Sequence, residues 1–291
     1  MSVRRARITG AIVLWAGVVL PAAARAQSLR TVTLSKQYRD QTPVTTRIEF
    51  ASGTIQVVPG PAGSLYRMQL SYDADRFLPV SRFDPLTNAL QLGLERTGGG
   101  GLRVSSSEHL KQQAAIELSP EPAMALAVNL GASRANLELG GLRLNRVILQ
   151  TTASQTTMRF STPNPVRCDS LRLNAGATEF SAFQLGNSGC RTVRLDGSVG
   201  EVMLDLTGGW KTDADVAISM ALGGLTLRLP RDMGVELTLD RLFSSFEPTG
   251  FVHTGSVYRS VGYDQTDRKL RIHLSCKVGN VDVEWEEEGK R

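Results

Sequence analysis

The sequence predicts an all-β protein, with a solenoid of stacked β-coils in its second half and an N-terminal β-rich cap or small domain ahead of it. Three observations predict this class. A pattern recurs from about residue 126 to residue 230, with corner positions 132, 153, 177, 199 and 222 spaced 21, 24, 22 and 23 residues apart. Within each repeat, apolar and polar residues alternate, which gives strands with one buried face. One capping-box pattern is the sole helix signal in the 291 residues.

The first 26 residues stand apart. Arg4, Arg5 and Arg7 precede an apolar stretch from Ile8 to Ala23, and Ala24-Arg25-Ala26 forms an A-x-A cleavage pattern before Gln27. This is a secretory signal peptide, because the apolar stretch is shorter than the ~20 residues that span a bilayer. No Cys follows the cleavage site, which argues against the usual lipoprotein, and nothing later is apolar enough to span a membrane. The signal carries four Arg and no acid, so the mature chain has 29 basic against 28 acidic residues, a net charge of +1. The pI of about 9.3 therefore belongs largely to the precursor, and nucleic acid is a poor candidate partner.

Residues 27–115 lack the period and form the N-terminal β-rich region. Strands are expected at Arg30–Ser35, Thr46–Phe50, Thr54–Val58, Tyr66–Tyr72 and Ala89–Glu95, with a flexible loop at Gly98–Gly101. Ser105-Ser-Ser-Glu108 opens a short helix over Ser106–Ala114.

Residues 116–285 form the repeat solenoid. The repeats align as Val128 to Ala132 with Leu137 and Leu139; Leu149 to Ala153 with Met158 and Phe160; Leu171, Leu173 and Ala177 with Phe183 and Leu185; Val193, Leu195 and Val199 with Leu204 and Leu206; and Val216, Ile218 and Leu222 with Leu225, Leu227 and Leu229. One coil of two or three short strands cannot bury its apolar face alone, but stacked coils share a continuous core. The competing β-sandwich needs regular hairpin signals, and Asp196-Gly197 is the sole Asp-Gly or Asn-Gly pair. Asn129, Gln150, Asn174, Asp196 and Ser219 form a polar ladder three residues before the corners, and Glu138, Arg159, Asp205 and Arg228 are expected to point outward beyond them. Leu237 to Phe251 departs from the period. Strands return at Lys269–Ser275 and Asn280–Trp285, with a sixth related turn at Val278. Residues 286–291 form a charged, disordered tail.

Five segments carry a resemblance. They are Leu137-Glu-Leu-Gly-Gly-Leu-Arg-Leu; Phe160-Ser-Thr-Pro-Asn-Pro with Leu204-Asp-Leu-Thr-Gly-Gly-Trp210; and Leu229-Pro-Arg-Asp-Met-Gly-Val235 with Val278-Gly-Asn-Val-Asp-Val. Over residues 115–285 the chain resembles the toast-rack domains of bacterial envelope proteins, related to the C-terminal domain of cell-wall-active-antibiotic-response (LiaF-like) proteins. Residues 28–115 look like the region that accompanies this domain. The resemblance implies a single-stranded right-handed β-helix-like stack and supplies no catalytic residues. The chain departs from the LiaF-like pattern in having a cleavable signal in place of N-terminal membrane helices.

Cys168 and Cys190 each lie nine residues before a corner, on neighbouring coils. Strand spacing of about 4.8 Å falls within disulfide reach, so a Cys168–Cys190 bridge is expected. No other chemistry is legible. Gly186-Asn-Ser-Gly-Cys190 looks like a serine-protease motif, yet His109, His253 and His273 sit in no partner pattern. No metal spacing appears, and Asp73-Ala-Asp75 and Asp213-Ala-Asp215 offer calcium too few oxygens. Trp210 and Trp285 follow strands and cap coils. No catalytic, cofactor or metal residue is assigned, and no cofactor is expected. The signal peptide, the outward ladders and the absent chemistry point to an exported, non-catalytic protein that binds an envelope protein, glycan or surface polymer, and the resemblance implies the periplasm or cell surface of a bacterium. A polysaccharide-acting enzyme, for which Asp196 and Asp205 are the candidate carboxylates, and a purely structural envelope protein are the alternatives.

Overall fold

In the computed structural model, residues 29–38, 42–97, 111–240, 246 and 248–287 are described. The signal peptide, the Gly98–Gly101 loop and residues 106–110 of the expected helix lie outside them, as do residues 288–291 of the expected tail.

Fifteen strands follow in order: β1 Leu29–Gln37, β2 Val44–Pro59, β3 Ser64–Asp73, β4 Phe77–Asp84, β5 Ala89–Arg96, β6 Gln113–Leu118, β7 Met124–Glu138, β8 Leu144–Arg159, β9 Cys168–Phe183, β10 Cys190–Asp205, β11 Ala214–Leu229, β12 Gly234–Leu239, β13 Phe251–Thr254, β14 Val257–Ser260 and β15 Lys269–Trp285. They form one sheet in the order β1-β3-β6-β2-β7-β8-β9-β10-β11-β15-β12-β14-β13, with β5 also on β2 and β4 on β5. The chain is all-β and solenoid-like.

The centre is a parallel array of seven long strands, β2, β7, β8, β9, β10, β11 and β15. Each is one strand of about sixteen residues, not two or three short ones. Pairing lapses at a single residue in the middle: Leu130 faces Thr151 and Ala132 faces Ala153, while Gly131 and Thr152 fall between. The alternation slips by one residue there. In β7, Leu126, Val128 and Leu130 are buried before the corner and Ala135 and Leu137 after it, as is Leu139 just past the strand. One extra residue changes which parity faces inward, so both legs of the bent strand aim their apolar residues at a common core. Columns such as Ile48, Val128, Leu149, Leu173, Leu195, Ile218 and Leu274 run through it in register. Each fully buried side chain of this kind contributes about 1.5–3 kcal/mol.

The array starts eighty residues earlier than the repeat reading placed it. β2 comes from the segment expected to be aperiodic, yet Ser52 pairs with Ala132 in the corner column. The two legs of β2 are then covered separately, the first by β5 and the second by β6. β6 takes up Gln113 and Ala114 from the expected helix. Ala114, Ile116 and Leu118 are buried with period two, and pairing to β2 and β3 settles the segment as a strand. At the other end β12 covers the first leg of β15, and the β13–β14 hairpin follows. Lys269–Ser275 and Asn280–Trp285 prove to be the two legs of that one strand. In the expected tail, Glu286 is tied down: its N–H donates to Leu229 O and its carbonyl accepts from Arg231 Nε.

Buried asparagines stitch the turns between coils. Asn164 donates to the carbonyls of Leu144 and Ser188, on the coils either side, and accepts from Leu144 N–H. Asn187 donates to Phe160 O and accepts from Gly209 N–H. Backbone groups that the turns would leave unpaired are satisfied this way.

Candidate functional site

The outward surface follows from the register. The ladder Asn129, Gln150, Asn174, Asp196 and Ser219 is a continuous column, extended by Glu49 and Ser275 at its ends. The column beyond the corner differs from its sequence reading. Asp205 is buried at 5% exposure, with its carboxylate accepting the N–H of Thr207. Strand β10 ends at Asp205, and the carboxylate closes the turn instead of facing solvent. Phe183 pairs with Arg159 in this column, and the Arg159 guanidinium lies 4.5 Å from the centre of its ring.

The corner column runs Ser52, Ala132, Ala153, Ala177, Val199, Leu222 and Val278, and it divides the surface in two. Over the alanines lies a groove of about 580 Å³ that begins at Gly53 and crosses four coils. Its wall is a chain of three polar side chains, one each from β7, β8 and β9. Arg134 Nε donates to Gln155 Oε1 (3.0 Å), and Gln155 Nε2 donates to Glu179 Oε2 (2.9 Å). The floor is small and apolar, and the wall offers both signs of charge. Past β9 the corner residues become large and the groove gives way to an apolar ridge. Val199, Leu222 and Val278 are 48%, 47% and 60% exposed.

The residues singled out for chemistry are not brought together. Ser188 is buried in a 3₁₀ turn, and its hydroxyl donates to Leu185 O (2.6 Å). His253 stacks on Tyr258 and His273 faces Asp240 at 3.0 Å, on the far strands β13 and β15; His109 lies outside the described residues. Asp196 is engaged by Arg194 at 2.9 Å and Asp205 by its own turn, so each carboxylate has a separate partner. Asp73 caps Asp75 N–H. Asp213 accepts the Lys269 N–H and an Arg271 guanidinium, and these donors hold its carboxyl below the usual range. Among the described residues no group of three or more His, Cys, Asp or Glu could hold a metal ion. Trp210 is buried, with its indole N–H on Leu206 O. Trp285 donates to Thr249 O and packs against Phe251.

Cys168 pairs with Cys190 across β9 and β10, and the two are joined by a disulfide with Cα atoms 4.2 Å apart. Cys276 is free and buried, and burial pushes its thiol up. It is therefore held as the thiol and is a poor nucleophile.

The model of the N-terminal domain of toast_rack (DUF2154) matches residues 24–168, from ahead of β1 to the first residue of β9. The match takes in residues 28–115, which resemble the N-terminal region that accompanies the domain, and the start of the 115–285 stretch. No curated protein matches the chain. Among solved structures, the chain is similar to a proposed cell adhesion protein from Clostridium sporogenes, at 13% identity and a TM-score of 0.44, covering 88% of this chain and all of that one. It is also similar to a proposed adhesin from Bacteroides fragilis, at 11% identity and a TM-score of 0.41, covering 89% and 98% of the two chains. No helix among the described residues is long and apolar enough to cross a membrane. On the family match, residues 24–168 belong to the toast-rack family, as its N-terminal domain.

Proposed function

We propose that this protein is a non-catalytic interaction module of the bacterial envelope, exported to the periplasm or cell surface, and that it binds an extended glycan or surface polymer along the corner groove. The observation that carries the reading is the groove itself. It crosses four coils at one column, so a linear partner lying along the stack meets a repeated site once per strand spacing. Its apolar floor and polar wall suit a ligand that presents an apolar face and hydroxyl groups. The export signal over residues 1–26 supports the location.

Co-sedimentation of the mature protein with purified envelope polysaccharide tests the reading. Wild type should pellet with the polymer. Ala153→Leu, which fills the groove floor at an exposed position, should stay in the supernatant with an unchanged melting temperature. Equal pelleting of wild type and variant would remove the groove from the account, and no pelleting of either would remove the polymer.

A further inference from the structure

A second cleft lies at the other end of the first legs, where coils β9, β10 and β11 begin. Its volume is about 370 Å³, within the range of small-molecule sites. Each of three successive coils contributes one cation to its lining: Arg167 just before β9, Arg191 as the second residue of β10, and Lys211 ahead of β11. All three are exposed. Pro165 and Val166 form an apolar wall.

The charge balance of the cleft is positive. Its one acid, Asp213, is already engaged by Arg271 at 3.1 Å and by the Lys269 N–H. Arg167 stands 4.0 Å from Asp169, with both side chains 68% exposed, a geometry that holds little energy. Lys211 reaches the Asn164 carbonyl at 3.4 Å, which leaves its charge uncompensated. Among the described residues no acid lies within ion-pair distance of Arg191. On the same array Arg194 sits against Asp196 and Arg228 against Glu284. Three like charges that face one acid already engaged elsewhere, and a loose pair at Asp169, raise the free energy of the empty cleft, and an anion lowers it.

The scaffold beneath the cleft is stiff. The Cys168–Cys190 bridge ties together the residues adjacent to Arg167 and Arg191. Asn164, with its side chain bonded to Leu144 and Ser188 on the neighbouring coils and to Val166 N–H, fixes the wall. Groups held this way lose little freedom on binding.

We propose that this cleft binds a phosphate-bearing sugar unit. Arg167 and Arg191 clasp the phosphate through their paired N–H donors and Lys211 adds a point charge, while the sugar ring lies against Pro165 and Val166. The volume exceeds what a bare phosphate fills, which is why a sugar phosphate is the ligand class. The site is separate from the corner groove, and neither reading depends on the other.

The test is an NMR titration of the ¹⁵N-labelled mature protein, disulfide intact, with glucose 1-phosphate, inorganic phosphate and glucose at constant ionic strength. Glucose 1-phosphate should give saturable shifts at Val166, Arg167, Gly189, Arg191 and Thr212, with phosphate weaker and glucose at least about tenfold weaker, as loss of a charge-assisted hydrogen bond implies. Arg191→Gln and Lys211→Gln should each weaken binding about tenfold or more at an unchanged melting temperature. Arg47→Gln, on β2, should leave binding unchanged. The proposal falls if the shifts do not saturate, if Arg47→Gln weakens binding as much as Arg191→Gln, or if inorganic phosphate binds as tightly as the sugar phosphate. It also falls if the protein floats with phosphatidylglycerol vesicles while ignoring glucose 1-phosphate, since the phosphate would then be a lipid headgroup. Ala153→Leu should bind glucose 1-phosphate like wild type, so failure of the groove reading stays distinguishable.

Discussion

The central coils and the C-terminal coils turn the same corner in two ways. In β7 and β9 a glycine stands one residue before the corner column, at Gly131 and Gly176 (Thr152 holds that place in β8), and the corner residue is alanine. In β10, β11 and β15 the glycine stands one residue after it, at Gly200, Gly223 and Gly279, and the corner residue is Val199, Leu222 or Val278. The demand on the backbone differs accordingly. A Cβ on Gly176 would lie 2.3 Å from Thr152 O, while its φ is outside the left-handed range. A Cβ on Gly223 would lie 1.9 Å from Gly200 O, and its φ is +133°. The first corner needs only space; the second needs space and a backbone conformation that L side chains rarely adopt. In both, the corner residue faces solvent, so its size is free of packing, and that size decides between groove and ridge.

The largest expected effect breaks the second kind of corner. Gly223→Ala must adopt a strained backbone and push one coil away from the next. It should cost at least about 3 kcal/mol, the upper end for a single strained residue, read as a lower urea midpoint. Gly176→Ala should cost measurably less, because only the close approach must relax. Equal losses would mean that φ contributes nothing and that the two corners are one.

Next in size is the junction between the two regimes. The disulfide joins β9, the last alanine coil, to β10, the first ridge coil. Closing a loop of 22 residues constrains the unfolded chain by about 3 kcal/mol in the loop-entropy account. The double variant Cys168→Ser/Cys190→Ser should lose about that much. Hydrogen exchange should report the loss first at the starts of β9 and β10, with β7 and β8 little changed. A loss spread evenly along the array would show that the junction is no weaker than its neighbours.

Much of this was legible in the sequence, and the misses have physical causes. The corner positions 132, 153, 177, 199 and 222 and the turn at Val278 stand in one register column, because parallel stacking preserves whatever recurs at the coil period. Ser52 was missed because β3 to β6 intervene between it and Ala132, and because its own residue is polar. Each long strand read as two, since the alternation slips at the corner and period-two patterning ends there. Asp205 read as exposed because a carboxylate's default is solvent, while the turn after β10 offers it an N–H. The basic cleft was invisible for a different reason. Arg167 and Lys211 sit in coil junctions of unequal length and Arg191 at the start of β10, so they share no position in the repeat and meet only once the coils stack.

The smallest expected effect sharpens the comparison most. If corner side chains are free of packing, exchanging their sizes should leave stability almost untouched. Leu222→Ala removes a half-exposed side chain and should shift the unfolding free energy by no more than about 0.5 kcal/mol, the usual range for surface changes. The same truncation three residues on, Leu225→Ala, empties a position that is 1% exposed and should cost about 2–5 kcal/mol. The pair of variants separates surface shape from core by a single turn of the chain. Should Leu222→Ala cost as much as Leu225→Ala, the ridge is packed against something in solution, and its exposed face is an interface; a near-zero cost leaves the ridge as the outer contour of the stack, shaped by the one column that the fold does not constrain.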